Sequence, residues 1–325
     1  MLKIKISNEN ETWNHFLNQE KENQLVTIAH NPSLGEVLKN AFGYKSFNYV
    51  LLNKDTVVGV FPVCKIKNKI VSLPHFSYGD ILLKSDFAKN NTFRKKVIGN
   101  NYEIRSFKSF SNSVDQSKVM CFLNLHKNEE EQWGHWNSKL RNNIRRGLKN
   151  KITVKIGGAE YLKEFYKVYS INMRDLGSPV LSYKFFKDIF EFYKYGEAKI
   201  FIAQKDNINM AASIVLTYQN FSEVCWASAL REYNALKPNL VIYWEMIKYA
   251  INNHYKYFSF GRSSKNSNTL HFKKHWKPIE KQLYFNLSQP KTIDVKKLKF
   301  LSNIWRKMPL TLANIIGPYF SKNIY

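Results

Sequence analysis

The sequence predicts an α/β protein of the α+β kind, made of two similar units that each hold a mostly antiparallel mixed sheet flanked by helices. Residues 47–63 and 199–216 carry this prediction, because each reads as an apolar strand, a turn beginning Lys-Asp and a second apolar strand. A helix-like stretch precedes each segment, at residues 32–42 and, with a break, at 159–192. Internal duplication of one unit is the simplest explanation.

Length and composition describe a globular chain with a large excess of positive charge. Its 325 residues suffice for two domains, and the 44% apolar content excludes an intrinsically disordered protein. The formal net charge of +25 favours polyanionic partners such as RNA, phosphorylated lipids or an anionic membrane surface. Lys and Asn are abundant throughout, so compositional bias remains an alternative source of part of this charge.

Cysteine usage and the start of the chain predict a cytoplasmic location. Cys64, Cys121 and Cys225 are far apart and read as reduced thiols. No pair has zinc spacing, and His271 and His275 lack a third ligand nearby, so we predict no metal site. There is no signal-peptide core and no apolar run of membrane-spanning length. We expect a cytoplasmic protein, either free in solution or peripheral at the inner face of the membrane.

A basic helix is predicted between the two units, within residues 136–156. Leu140, Ile144 and Leu148 recur every four residues and form an apolar stripe, and the segment contains no acidic residue. A solvated helix normally mixes both signs of charge. We therefore predict that this helix contacts a polyanion, through Arg141, Arg145, Arg146 and Lys149.

The second half predicts helices, a meander and a crossover helix, which fits helices packed on a largely antiparallel sheet. A loop at residues 173–179, closed by Gly and Pro, separates the first two helices. The predicted elements are helices at 161–172 and 183–193, strands at 199–204, 209–218 and 222–230, a helix at 237–253, and strands at 255–260 and 282–287.

Residues 257–276 are the most informative stretch for function. An aromatic strand ends at Gly261 and Arg262, a polar loop follows, and a cationic and aromatic run covers residues 271–276. A strand that stops at Gly and opens into Arg, Ser and Lys places flexible backbone and positive charge at a sheet edge, where anionic ligands and acyl carbonyls are held. The alternative is a solvated basic loop.

The tail, residues 298–325, mixes aromatic, aliphatic and basic residues and is interrupted by Pro309 and Gly317. It predicts either an amphipathic cap packed on the second unit or a surface helix lying on anionic lipid. Packing is favoured, because the stretch is short and broken.

Several runs of the sequence resemble FemAB-like proteins of the GNAT acyltransferase superfamily. In the second half these are FYKVYSINMRDLGSPVLSYKFF, WASALREYNALKPNLVIYWEMIKYA and FSFGRSSKNSNTLHFKKHW. AFGYKSFNYVLL, VVGVFPV and IVSLPHFSYGDILL in the first half are also similar, as is IWRKMPLTLANIIGP in the tail. The nearest branch looks like the FemAB-related proteins associated with PEP-CTERM and exosortase loci. The resemblance implies two tandem GNAT-like units, at residues 1–135 and 157–290, with a basic connecting helix at 136–156 and a basic amphipathic tail at 291–325.

The resemblance implies an N-acyltransferase or aminoacyltransferase. FemA, FemB and FemX proteins transfer an amino acid from aminoacyl-tRNA to an amine of a peptidoglycan precursor, and the nearest branch sits beside exopolysaccharide genes. The expected acceptor is a phosphorylated or lipid-linked envelope precursor, and the donor is aminoacyl-tRNA or acyl-CoA. Two alternatives remain open: an acetyl-CoA-dependent amino-sugar N-acetyltransferase, and a non-catalytic scaffold that binds RNA or membrane.

One departure from the family pattern concerns the donor. Typical GNAT enzymes hold the CoA pyrophosphate with an Arg/Gln-x-x-Gly-x-Gly/Ala loop that leads into a helix N-terminus. The corresponding residues 231–239 read REYNALKPN, without glycine. Bulky residues there argue against the usual grip on CoA, although Lys237 and the helix amides remain available to a phosphate.

The candidate catalytic residues are Lys273 and Arg262, to contact an acyl carbonyl or phosphate, and Asp175, to accept the amine proton. Lys273 lies in the family's Phe-Lys motif, and Arg174 with Asp175 forms either a substrate clamp or a structural ion pair. The predicted substrate-binding residues are Arg174, Trp226, Arg231, Tyr233, Asn234, Asn239, Tyr243, Ser263, His75 and Tyr78. For Trp226 and Tyr243 the alternative is a core aromatic, and for His75 it is a structural histidine.

Overall fold

One continuous sheet joins the two halves of the chain. The computed structural model describes residues 2–7, 10–22, 24–87, 92–290, 295–322 and 324. In these residues the strands are β1 Leu2–Ile6, β2 Lys45–Asn53, β3 Thr56–Ile66, β4 Lys69–Val71, β5 Leu82–Leu83, β6 Tyr102–Ser106, β7 Ser113–Asn124, β8 Thr153–Gly157, β9 Ala198–Lys205, β10 Ile208–Tyr218, β11 Phe221–Ala229, β12 Tyr257–Ser264 and β13 Ile279–Leu287. Their order across the sheet is β1-β2-β3-β4-β6-β13-β7-β12-β11-β10-β9-β8, and β5 pairs with β3.

Helices cover the sheet. They are α1 Asn10–Glu20, α2 Leu34–Phe42, α3 Thr92–Ile98, α4 Glu129–His135, α5 Ser138–Lys149, α6 Leu162–Leu176, α7 Tyr183–Phe192, α8 Pro238–Asn252, α9 Asn268–Lys274, α10 Val295–Lys307 and α11 Leu310–Ser321. Side chains along β9 alternate between two cores: Ile200 and Ile202 pack into one, Phe201 and Ala203 into the other. Both faces of the sheet in the second half are therefore buried.

The order of elements repeats, which confirms the predicted duplication. In each half a strand and two helices precede an antiparallel meander, β2-β3-β4 in the first half and β9-β10-β11 in the second. A crossover helix then leads to a strand that pairs in parallel with the end of the meander, β6 with β4 and β12 with β11. The halves are not separate in the sheet, because β13 lies between β6 and β7 and pairs with both. The unit boundaries read from the sequence stay predictions.

Helix α5 packs on α8 by a face that differs slightly from the prediction. Leu140 and Ile144 are buried, but Leu148 is 41% exposed. Each step of four residues turns about 40° round a helix, so the third member of the stripe rotates out of the contact. Gly147 takes its place, and a Cβ there would lie 2.5 Å from Val241 Cγ2. The glycine that weakens the helix in isolation thus allows it to approach α8 closely.

Two predicted loop boundaries were wrong. Helix α6 continues to Leu176 and ends at Gly177, whose φ of 74° is the left-handed conformation that terminates helices. Strand β12 does not stop at Gly261 but continues to Ser264, because β7 offers pairing partners beyond a bulge between Ser259 and Arg262. The polar loop is correspondingly short, and α9 begins at Asn268.

The tail packs on the second half, as favoured from the sequence. Helices α10 and α11 both lie on α6. Trp305 and Ala313 are buried, and a Cβ on Gly317 would lie 2.7 Å from Val180 Cγ2. Residues 291–294, 323 and 325 of the predicted tail lie outside the described residues. No described helix combines the length and the apolar character needed to cross a membrane.

Candidate active site

A cavity of about 730 Å3 opens where β11 and β12 diverge. The two strands pair in parallel only along Phe221–Glu223 and Tyr257–Ser259. Beyond this point they separate, and the cavity occupies the gap. Its walls are Val224, Cys225, Trp226 and Ala227 of β11; Phe260, Gly261 and Arg262 of β12; Tyr243, Thr269 and Lys273; His75 and Ser77 from the first half; Tyr169, Met173, Gly177, Ser178, Pro179 and Leu181; and Leu301, Ser302, Trp305, Phe320, Ser321 and Ile324 of the tail.

The bulge in β12 shapes one wall of the cavity. Gly261 adopts a φ of 69°, which favours glycine, and a Cβ there would lie 3.2 Å from Ser77 Oγ. Lys273 Nζ donates hydrogen bonds to the carbonyl oxygens of Gly261, at 3.2 Å, and Arg262, at 3.0 Å. Burial lowers the pKa of Lys273 to about 8. Lys273 thus fixes the bulge and brings positive charge to the cavity wall.

A buried carboxylate, Glu223, lies directly behind this wall at the end of the parallel pairing. Its side chain forms hydrogen bonds with Ser77 and Ser259. Burial raises the pKa of Glu223 to about 7, while these hydrogen bonds and the charges of Lys273 and Arg262 act in the opposite direction. A carboxyl group poised near neutral pH suits a general base.

Ser77 connects Glu223 with the cavity. Ser77 lines the cavity, and its hydroxyl forms a hydrogen bond with the carboxylate of Glu223 and accepts one from the backbone N–H of Arg262, at 3.2 Å. A proton released in the cavity can therefore pass through the hydroxyl of Ser77 to Glu223, which is itself only 2% exposed.

The loop that carries Ser77 belongs to the first half and is held by buried charges. Arg94 Nη2 lies 2.9 Å from Asp80 Oδ2, and Ser106 Oγ donates to the same oxygen at 2.5 Å. Arg105 Nη1 donates to the carbonyl oxygens of Phe76, at 2.7 Å, and Leu73, at 3.3 Å. These bonds anchor both ends of the segment that presents Ser77 to β12.

Arg262 provides a fixed cation in the cavity wall. Its Nη1 donates to the carbonyl oxygen of Phe76, at 3.3 Å. Burial and the like charge of Arg105 lower the pKa of Arg262 to about 9, which still leaves the guanidinium charged at neutral pH. The cation is available to a carbonyl oxygen or phosphate in the cavity.

The structure brings five of the predicted residues to the cavity: Lys273, Arg262, Trp226, Tyr243 and His75. Trp226 and Tyr243 are also buried among aromatic neighbours, as the alternative of a core aromatic predicts, and their role in substrate binding stays a prediction. His75 stacks on Phe42 with 4.5 Å between ring centroids. Burial, together with two nearby guanidinium groups, lowers the pKa of His75 to about 3, so its ring is neutral.

Other predicted residues lie elsewhere. Asp175 and Arg174 sit in the last turn of α6 outside the cavity wall, and Arg174 Nη2 contacts Asp175 Oδ1 at 2.7 Å. Tyr78 stacks on Phe107 beside a second, smaller cavity of about 160 Å3. The buried Ser263 lies on β12. The other four residues lie on the surface: Arg231, Tyr233 and Asn234 in the 3-10 helix before α8, and Asn239 at the start of α8.

Sequence reasoning missed Glu223, Ser77 and Ser259. One signal was present for Glu223, since it is the single carboxylate in the apolar run of residues 221–229. A charged residue inside an otherwise buried strand needs a partner or a function. Ser77 lay within a loop that the sequence did single out, but its neighbours His75 and Tyr78 attracted the prediction instead.

In the segment that corresponds to the CoA-binding loop of typical GNAT enzymes, backbone groups form hydrogen bonds within the protein. Residues Arg231–Leu236 form a 3-10 helix, and Pro238 removes one N–H from the first turn of α8. The N–H of Leu240 is satisfied by the carbonyl of Lys237, at 3.1 Å. Asn150 Nδ2, at the end of α5, donates to the carbonyl of Leu236, at 3.1 Å. This helix start offers few free amides to a pyrophosphate.

The exposed face of α5 is cationic. Arg145, Arg146 and Lys149 are exposed, whereas Arg141 is partly buried. The guanidinium of Arg145 lies over the ring of Trp133, 5.4 Å from its centroid. The predicted polyanion contact therefore has three accessible cations within about one turn of helix.

Residues 137–274 match the family model described as an acetyltransferase (GNAT) domain. The chain therefore contains a GNAT acyltransferase domain. Comparison with curated protein sequences gives no match.

Solved structures extend the likeness beyond the GNAT domain, to at least 90% of the chain. FemX, a FemAB-family protein, has a TM-score of 0.67 at 14% identity, and the match covers 92% of this chain and 100% of FemX. A tandem GNAT protein from the clavulanic acid biosynthesis pathway has a TM-score of 0.54 at 9% identity, covering 90% and 100%. The C-terminal domain of a putative lysylphosphatidylglycerol synthetase from Agrobacterium fabrum has a TM-score of 0.52 at 7% identity, covering 91% and 96%. These likenesses confirm the predicted FemAB-like tandem GNAT fold.

Proposed function

We propose that this GNAT acyltransferase transfers an acyl or aminoacyl group to an amine of a phosphorylated, lipid-linked precursor of the cell envelope or of an exopolysaccharide. The observation that carries the proposal is Glu223, whose raised pKa and link through Ser77 make it a base for an amine bound in the cavity. The same cavity holds the cations Arg262 and Lys273. It thus combines a proton acceptor with positive charge for a developing oxyanion.

The reaction needs one bond made and one broken. The acceptor ammonium gives a proton to Glu223 through Ser77, and the free amine nitrogen attacks the acyl carbonyl carbon. Arg262 stabilises the negative charge that develops on the carbonyl oxygen. The carbon–oxygen or carbon–sulfur bond to the leaving group then breaks, and the second proton lost by the attacking nitrogen passes to the leaving group as the amide forms. Positioning of the amine and the carbonyl, together with charge stabilisation by Arg262, supplies most of the rate enhancement, because aminolysis of an activated ester needs little further catalysis.

Aminoacyl-tRNA is the donor that we favour over acyl-CoA. The start of α8 offers few amides to a pyrophosphate, and α5 packs against the segment before it. The cationic face of α5 supplies contacts for RNA phosphates instead. The structural neighbour named as a putative lysylphosphatidylglycerol synthetase supports transfer to a lipid-carried acceptor. Such an acceptor would place the protein at the inner face of the membrane.

The test offers two labelled donors to the protein separately. Aminoacyl-tRNA with a mixed set of amino acids, and acetyl-CoA, are each incubated with muropeptide amines and with amino-sugar acceptors. We expect label to move from aminoacyl-tRNA only. Transfer from acetyl-CoA alone would replace this proposal with an amino-sugar N-acetyltransferase. Transfer from neither donor to any acceptor would favour a non-catalytic scaffold.

The cationic face of α5 gives a second expected result. Replacing Arg145 and Arg146 by Gln should weaken tRNA binding and reduce the slope of log affinity against log salt by about 2, one for each lost phosphate contact. Fluorescence anisotropy at several salt concentrations measures both. The matched control replaces Lys95 and Lys96, two exposed lysines on α3, by Gln. Equal effects of the two double variants would mean that only net charge matters.

A further inference from the structure

The C-terminal helix pair exposes an unusual amount of apolar surface. Of the sixteen large apolar side chains that are exposed in the described part of the chain, eight lie between residues 300 and 324. Exposed apolar residues are ordinary when scattered singly, but a concentration of them marks an interaction site. The eight are Phe300, Leu301, Ile304, Leu312, Ile315, Tyr319, Phe320 and Ile324.

Helix α11 has two distinct faces. Its small residues Ala313, Gly317 and Ser321, spaced four apart, are buried. Leu312, Ile315 and Tyr319 lie on the outer side, where Ile315 is 66% and Tyr319 is 76% exposed. The small residues allow the helix to lie close to the protein, while the large side chains on the other side of the helix are largely exposed.

The charge pattern of the helix pair favours a lipid bilayer as the partner of this apolar surface. Helix α11 contains no charged residue, and exposed cations flank it: Arg306 and Lys307 before it and Lys322 after it. An apolar face bordered by cations is the pattern of a helix that lies in the interface of an anionic membrane. Neither helix is built to cross the bilayer.

The same helices form the mouth of the cavity. Leu301, Phe320 and Ile324 line the cavity and are also 46%, 53% and 61% exposed. Trp305, on the inner side of α10, is buried against it. The cavity therefore opens among side chains that belong to the apolar surface.

We propose that α10 and α11 dock on an anionic lipid bilayer and that the acceptor, carried by a lipid, enters the cavity directly from it. This inference rests on the proposed function for the identity of the acceptor, but the docking surface stands on its own. It differs from the cationic face of α5, which we assign to RNA. The bilayer would hold the lipid-linked amine at the mouth formed by Leu301, Phe320 and Ile324.

Vesicle flotation tests the docking surface. The full chain is mixed with vesicles of phosphatidylcholine alone or with added phosphatidylglycerol. We expect the unchanged protein to bind vesicles that contain phosphatidylglycerol. The Ile315→Glu/Tyr319→Glu variant should partition at least about tenfold more weakly, because each change removes an apolar side chain that the bilayer would bury. The control variant, Ile208→Glu/Ile279→Glu, introduces the same charge at two exposed apolar residues outside the tail, on β10 and β13, and should bind like the unchanged protein.

Three results would overturn the inference: no vesicle binding by the unchanged protein, equal binding by both double variants, or a dimer in solution that only the tail variant dissociates. Melting temperatures of the two variants show whether either is misfolded. Transfer to a water-soluble acceptor amine separates the two ideas, since the tail variant should keep this activity. Loss of vesicle binding with soluble transfer intact supports docking, whereas absence of transfer in the unchanged protein would count against the proposed function alone.

Discussion

Replacing Glu223 by Gln should lower the rate of acyl transfer by about 10²- to 10⁴-fold, the usual contribution of a positioned general base. Glutamine keeps the shape of the side chain and its hydrogen bonds to Ser77 and Ser259, but it cannot take a proton. Single-turnover transfer from aminoacyl-tRNA measures the chemical step without product release.

The pH dependence of transfer follows from the pKa of the same group. Burial raises the pKa of Glu223 to about 7, so the base is protonated below neutral pH and ionised above it. The rate in the unchanged protein should therefore rise through pH 7 and level off above it. The residual rate of Glu223→Gln should lack this step. A step that persists in the variant would assign the titration to another group.

Rising pH should have opposite effects on stability and on activity. A carboxyl group with a raised folded-state pKa contributes stability that is fully present below its unfolded value, near 4.5, and is lost as pH rises through about 7. Glu223→Gln removes this loss. The variant should therefore melt at a higher temperature than the unchanged protein at pH 8, with a smaller difference at pH 5. Thermal unfolding at the two pH values measures it.

Asp175→Asn is the control that separates the two candidate carboxylates. Asp175 was the base predicted from the sequence, but it lies outside the cavity wall and is paired with Arg174. We expect this variant to keep nearly full transfer activity. A severe loss in Asp175→Asn together with an active Glu223→Gln would restore the original prediction.

Asp80→Ala should lower the free energy of unfolding by about 3–5 kcal/mol, the cost of leaving a buried charge without its partner. The side chains of Asp80 and Arg94 are 5% and 7% exposed, and Arg94 would keep its charge in a site built for a carboxylate. Chemical denaturation measures the loss. Because Asp80 anchors the loop that carries Ser77, transfer activity should fall as well.

The partly exposed pair Arg174–Asp175 gives a matched comparison for this loss. Here the side chains are 28% and 31% exposed, and exposed ion pairs contribute at most about 1 kcal/mol. Asp175→Ala should therefore change the free energy of unfolding by less than that. Similar losses for Asp80→Ala and Asp175→Ala would show that burial does not decide the strength of these pairs.

Local patterns predicted much of the fold. The two Lys-Asp hairpins became β2–β3 and β9–β10, and the helix predicted at 237–253 became α8. Elements of this kind are specified by residues that are near each other in the sequence. The position of β13 between β6 and β7 was beyond such patterns, because that pairing joins residues 279–287 to strands more than 150 positions earlier.

The candidate site was half predicted for the same reason. Arg262 and Lys273 were found because they stand in one short run with Gly261. The proposed base, Glu223, was not found, because its environment is made by distant parts of the chain. Ser77 comes from the first half, whereas Glu223 and Ser259 come from neighbouring strands of the second. A raised pKa depends on burial and on neighbouring groups, so it cannot be predicted from the identity of a single residue in the sequence.

The position of β13 between β6 and β7 ties the two halves of the chain together. A strand that pairs with β6 on one side and β7 on the other belongs structurally to the first half, although the second half encodes it. A recombination event that separated the halves would leave the first with two unpaired strand edges and the second without its last strand. We therefore expect the two halves to be stable only when they are joined in one chain.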